Sequence, residues 1–258
     1  MKIIKFLSSE DAVSEVIDFV TILGILTLSI GIIGVAGYPM LKNAQEATQI
    51  ENTKQSFTVL AENMNKVVLG QTPSQSVELK MYGGTLSVTG NSTINITANS
   101  TNITTGTISR IVLVYTTDMR SIESTVGNTV VAYEGTGVWA KYPNGNTLLV
   151  SKPLITNQSN VLVIPVVTIR GTSSTGGSGI SRVMASGSPG VTLYRNVSNI
   201  MITVNSGYWK GWENYFGRVM SWGVCTSGGP SGGCTVNLQT LNNTDVYILN
   251  IQLETSIL

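Results

Sequence analysis

Residues 19–41, FVTILGILTLSIGIIGVAGYPML, carry no charged side chain, and no later stretch is as long and apolar. At 1.5 Å of rise per residue, a helix over this run reaches roughly 34 Å, enough to cross a hydrocarbon core of about 30 Å. The run is too long for a conventional secretory signal, and it leads straight into a helical pattern rather than a small-residue cleavage site. Lys2 and Lys5 lie ahead of it, which points to a cytoplasmic amino terminus with the bulk of the chain outside; Lys42 beyond the span dilutes that bias. From 42 to 69 the apolar residues Ala44, Ala47, Ile50, Phe57, Leu60, Ala61, Met64, Val67 and Val68 fall mostly at steps of three and four, with an interruption at Thr53 and Lys54. The pattern predicts a helix whose stripe packs on a globular head. Gly70 and Pro73 end it. Pro39 predicts a kink or local break where the span emerges.

From Val77 onward the pattern changes to short β-type runs between Gly, Asn, Ser and Pro. The predicted strands are 77–82, 85–89, 108–115, 129–134, 138–142, 147–152, 161–169, 191–195, 200–204 and 246–253. Several alternate by two, as Tyr247, Leu249, Ile251 and Leu253 do. Asn144-Gly145 between two runs is a hairpin signal, because both residue types tolerate positive φ. The fold class is α+β: a long amino-terminal helix, membrane-spanning and then amphipathic, packed on an antiparallel β-rich head. Residues 171–190, GTSSTGGSGISRVMASGSPG, read as a long flexible loop without the lysine of a phosphate-binding loop. Residues 208–222, YWKGWENYFGRVMSW, predict a short helix with Trp212, Tyr215, Phe216 and Met220 on one face, serving either as core or as a binding patch.

Only 11% of residues are charged, against about 25% in an average soluble protein, and the formal net charge is +1. Ser, Thr, Asn and Gly replace the missing charges, which suits an exterior surface. Without a basic stripe to meet phosphates, nucleic acid is not an expected partner. Histidine is absent, which removes the usual general base, the Ser-His and Cys-His pairs, and the commonest zinc ligand. Glu123, Glu134, Glu213 and Asp245 are scattered, and no spacing ties two of them into a glycosidase-like pair. No catalytic residue, cofactor or metal is therefore expected, and the chain reads as a non-enzyme. Cys225 and Cys234 flank a Gly-rich segment; they form either a disulfide, which implies an oxidising compartment, or two unrelated thiols.

Asn91, Asn95, Asn99 and Asn102 each begin an N-x-S/T triplet within one run, and Asn157, Asn196 and Asn242 add three more. These are candidate glycosylation sites. If the run is an edge strand, Thr93, Asn95 and Thr97 face one way and Ile94 and Ile96 the other, so sugars would shield the edge.

The segment DAVSEVIDFVTILGILTLSIGIIGVAG resembles the amino terminus of archaeal type IV prepilins. There a short charged leader is cut on the cytoplasmic side of the apolar helix, which stays in the mature protein. The matching bond lies between Ala12 and Val13. A competing register cuts after Glu10 and makes Glu15 the fifth mature residue, where many type IV pilins carry a glutamate that pairs with a neighbouring subunit's amino group. Glu15 and Asp18 stand where many archaeal relatives have Pro and Gly, and the Lys or Arg plus Gly that often precedes the cut is missing. The two acids are either subunit contacts or solvated at the interface. The head stretches VVAYEGTGVWAKYPNGNTLLVSKP, VLVIPVVTIRGTSSTGGSG and YWKGWENYF are similar to a subgroup of larger archaeal pilin-like proteins. The resemblance implies a leader at 1–12, a pilin-like helix at 13–70 with its transmembrane part at about 16–41, and an extracellular head at 71–258. It also implies a prepilin peptidase, other pilin subunits and the membrane as partners. The function implied is a minor pilin or adhesin of a filament; the alternative is a permanently anchored, glycosylated surface binding protein.

Overall fold

The structure is a computed structural model that describes residues 10–104, 107–223, 225–227, 233–238 and 244–258. The chain divides into two units, Met1–Thr48 and Gln49–Leu258. Helix α1 (Glu10–Ile32) runs into a π-helical turn (Ile33–Gly37) and then α2 (Tyr38–Val68), so the boundary between the units falls within α2. The π turn lies where a straight helix would meet Pro39, which lacks an N–H and whose ring collides with the carbonyl four residues back, at Val35. Widening that turn absorbs the conflict, so the expected kink takes the form of a π turn and the helix continues.

The helix ends as Gly70 and Pro73 led one to expect. Gly70 adopts φ +69, its N–H meets Val67 O at 3.0 Å, and Gln71 N–H reaches Lys66 O at 2.9 Å. That pair of bonds is a Schellman cap.

The head contains β1 (Ser74–Thr89), β2 (Thr93–Thr104), β3 (Thr107–Asp118), β4 (Ser121–Val126), β5 (Thr129–Glu134), β6 (Gly137–Lys141), β7 (Thr147–Ser151), β8 (Thr156–Gln158), β9 (Val161–Arg170), β10 (Ser174–Ser186) and β11 (Gly190–Asn205). There follow α3 (Trp209–Asn214) with a π turn (Tyr215–Val219), then β12 (Thr226–Ser227), β13 (Gly233–Leu238) and β14 (Thr244–Ile257). Among the described residues these strands form one hydrogen-bonded sheet. A meander β4-β5-β6-β7 joins β1, which pairs with β10; β14 and β11 follow, and β11 carries β2 on one side and β13 on the other. The pairing is antiparallel except for β9 with β14, which is parallel. The α+β class is thus observed, with one parallel pair in an otherwise antiparallel head.

Two hydrophobic cores lie on opposite faces of the meander. On one, Phe57, Leu60, Met64 and Val67 of α2 pack with Val131, Tyr133, Val138 and Ala140. On the other, Ala132 and Trp139 pack with Trp212, Tyr215 and Phe216 of the aromatic segment. Because strand side chains alternate faces, β5 and β6 serve both cores and read as nearly unbroken apolar runs. The aromatic segment is therefore core rather than a binding patch.

Three expectations change. Residues 171–190 are not a loop: β10 occupies most of them, paired with β1 along its length and with β14 at its end. Its Gly and Ser residues hid the strand, since they offer neither apolar alternation nor β-branching. The N-x-S/T run is not an edge, because β2 pairs with both β11 and β3; the alternation itself is as read, with Ile94 and Ile96 buried. The stripe on α2 is not interrupted at Thr53, which is buried with its hydroxyl donated to Gln49 O at 2.8 Å. Two apparent gaps also proved to be bulges within single strands. One lies in β1 at Tyr82/Gly84, where a Cβ on Gly84 would collide with the Thr125 carbonyl; the other lies in β11, where Asn196 adopts φ +53.

Candidate functional site

In the first unit, the large apolar side chains from Val16 to Leu41 are all exposed, among them Phe19, Leu23, Ile30 and Val35. The helical run from Val16 is long and apolar enough to cross a membrane, with a mean hydropathy of 2.4 in its most apolar window. Water is a poor solvent for such a surface. The hydroxyls within it are compatible with lipid, because Thr21, Thr27 and Ser29 donate to the carbonyls of Ile17, Leu23 and Ile25 at 2.7–2.8 Å. Asp18 is exposed. Ala12, Val13 and Glu15 fall within α1, but their side chains lie outside the described residues.

In the head, the meander builds a polar cleft. Gly135 and Thr136, with φ +57 and +68, form the two-residue loop between β5 and β6, the conformation of a type I′ turn. Register then places Glu134 diagonally to Glu123 on one face, since Glu123 pairs with Ala132. A cleft of about 360 Å³ opens there, lined by Asn91, Ser92, Ser121, Glu123, Asn128, Val130, Glu134, Lys141, Tyr142 and Tyr208 among others.

Glu134 is 1% exposed. Its Oε1 accepts Ser206 Oγ–H at 2.6 Å and Trp212 Nε1–H at 3.0 Å, while its main-chain carbonyl accepts Trp139 Nε1–H at 3.1 Å. Burial pushes the Glu134 carboxyl above its ordinary value; the bonds from Ser206 and Trp212 and the nearby Ser92 pull it down, and the charge of Glu123 adds to the rise. Ser92 Oγ itself is buried and makes no hydrogen bond of acceptable geometry. Glu123 is half-buried and accepts Ser121 Oγ–H at 2.6 Å. Burial first, then the charge of Glu123 and its bond to the phenol, hold Tyr208 protonated far above the usual range. Lys141 supplies the cation of the lining.

No spacing along the chain joins Glu123 and Glu134; the hairpin register does so. Glu213 lies elsewhere, in a second cleft with Lys210 and Arg218, and Asp245 faces the Asn196 amide at 3.4 Å. Among the described residues, no group of three or more His, Cys, Asp or Glu could hold a metal. Ser92, Lys141, Ser206 and Tyr208 escaped sequence reasoning. A single acid closing the apolar run VVAYE was the one visible hint, since an acid is rarely buried without partners.

Cys225 and Cys234 are joined by a disulfide, with Cα atoms 5.1 Å apart, and both belong to the aromatic core. Asn91, Asn157 and Asn196 are exposed, whereas Asn95 is half-buried with its Oδ1 enclosed and unpartnered. The side chains of Asn99 and Asn102, and the whole of Asn242, lie outside the described residues.

Residues 12–256 match the model of a family of unknown function (DUF7289). An uncharacterised protein of the archaeon Archaeoglobus fulgidus is 26% identical over 245 residues, covering 79% of this chain and 80% of the relative.

Proposed function

The chain belongs to the DUF7289 family, and from its build we propose that it is an exported, type IV pilin-like surface protein, a minor pilin or adhesin of an archaeal filament. The observation that carries this reading is the apolar helical run from Val16, none of it buried, which leads into the α2 face that the head covers. In a membrane the run anchors the precursor. In a filament the same surface packs against copies in neighbouring subunits, and Gly24, Gly31 and Gly34, which have open space where a Cβ would stand, let helices approach closely. The Cys225–Cys234 disulfide supports an oxidising exterior for the head.

In this reading residues 1–12 are a leader, and a prepilin peptidase cuts at Ala12-Val13 or after Glu10. Glu15, with Asp18 nearby, meets a neighbouring subunit's new amino group. The role is structural and adhesive rather than catalytic. A head this large suits a minor subunit better than the repeated body of a filament.

The alternative, a permanently anchored glycosylated binding protein, is favoured by one observation, the polar cleft of the head. Recovery from sheared cell surfaces separates the two. The filament reading requires the chain in sheared high-molecular-weight fractions and its loss from them when the leader peptidase is inactive. A chain that stays wholly with the membrane would leave the anchored alternative.

A further inference from the structure

We propose that the cleft between the β4–β6 face and the 90–92 loop binds a neutral sugar, held by Glu123, Ser92 and Asn128 as hydrogen-bonding groups. The inference goes beyond anchoring and assembly and does not rest on either.

Four observations converge. First, the lining carries an under-used group: Ser92 is 5% exposed, and its Oγ lies near the Glu134 carboxyl without a well-formed hydrogen bond. A buried hydroxyl left without a bond is costly, and a ligand hydroxyl would satisfy it. Second, about 360 Å³ falls at the small end of ligand pockets, the size of one or two sugar rings. Third, the charges balance. Lys141 offsets Glu123, and burial favours the neutral form of Glu134, so neither an anion nor a cation finds a complementary excess. Fourth, Glu123 is half-buried and Asn128 exposed at the mouth, which gives a planar acceptor and an amide able to bond neighbouring hydroxyls.

The same pair of acids would suit glycoside cleavage if both were free to act. Glu134 is not: its Oε1 is engaged by both Ser206 and Trp212 beneath the aromatic core. It is better placed to hold the cleft wall than to transfer a proton, and binding is the favoured use.

The sugar has two possible sources. It is either a glycan outside the molecule or one attached to Asn91, which is exposed, lines the cleft and begins an N-x-S/T triplet. The test uses the full chain in detergent, made in a host that does not glycosylate asparagine, titrated with glucose, galactose, mannose and N-acetylglucosamine under saturation-transfer NMR. Binding of at least one sugar is expected, weakened about tenfold or more by Glu123→Gln, in line with the loss of a charge-assisted hydrogen bond. Asn128→Ala, at an exposed turn position, should weaken it several-fold and guards against a folding defect in the first variant. If the natively glycosylated chain also binds, the ligand is external. If it does not, and Asn91→Gln restores binding, the cleft holds the chain's own sugar. No binding by the unglycosylated chain, or binding unchanged in both variants, would overturn the proposal while leaving the anchor reading intact.

Discussion

Trp212 donates its indole N–H to Glu134 Oε1 at 3.0 Å, and the two residues are each 1% exposed. The bond ties the short helix α3 to the tip of the β5–β6 hairpin and fixes the floor of the cleft. Around it the aromatic rings interlock: Trp212 lies 4.7 Å from Trp139 and 5.5 Å from Phe216 between ring centroids.

A buried acid of this kind makes stability depend on pH. The folded-state pKa of Glu134 is raised above the ordinary value of 4.5, so in the window above that value the folded chain keeps a proton that the unfolded chain has lost. The contribution is full below the window and fades as pH rises through it. The melting temperature should therefore fall as pH rises from about 4.5 toward neutrality. Glu134→Gln keeps an acceptor for Trp212 and should flatten that slope. Thermal scans of both proteins across this range check it, and equal slopes would contradict the assignment.

The interlock also depends on two glycines. A Cβ on Gly211 would stand 2.5 Å from Trp139 Cε3, and one on Gly135, at φ +57, would stand 2.6 Å from Trp212 Cζ2. Gly211→Ala should cost about 1–3 kcal/mol by overpacking, and Gly135→Ala more, because backbone strain is added. Gly176→Ala meets only ordinary contacts and serves as the control. Denaturant midpoints compare the three; a neutral Gly211→Ala would refute the packing.

The disulfide closes a short loop, with a separation of nine residues between Cys225 and Cys234. Chain entropy assigns such a loop roughly 2–3 kcal/mol. Cys225→Ser with Cys234→Ser should lower the unfolding free energy by about that amount, and reduction of the native chain should do the same. Unchanged midpoints under reducing conditions would show that the bond contributes nothing.

Exposure divides the N-x-S/T triplets. Asn91, Asn157 and Asn196 are accessible, whereas Asn95 has its Oδ1 enclosed, so peptide mass spectrometry of the native protein should find sugar on members of the first group and none on Asn95. All seven triplets found bare would end the glycoprotein reading, and sugar on Asn95 would contradict the enclosure of its side chain.

How much of this was legible beforehand depends on which side chains carried the signal. The helix from 19 onward and its stop at Gly70 could be read because charge is absent over a long run and because a Schellman cap needs a glycine. Strands β5, β6 and β9 were legible from their Val, Ile and Tyr content. β10 was not, because its first half is Ser, Thr and Gly, whose place in the sheet is set by β1 rather than by local preference. The cleft was illegible for a related reason. Glu123 and Glu134 are ordinary acids in sequence, and only the register of two hairpins makes them neighbours.

Whether the apolar helix is a processed pilin-like anchor is decided by the amino terminus of the native protein, read by mass spectrometry from membranes and from a sheared surface fraction. A processed anchor gives a mature chain beginning at Val13, or at Asp11 in the alternative register, in both fractions. A chain that keeps Met1 in both would contradict it.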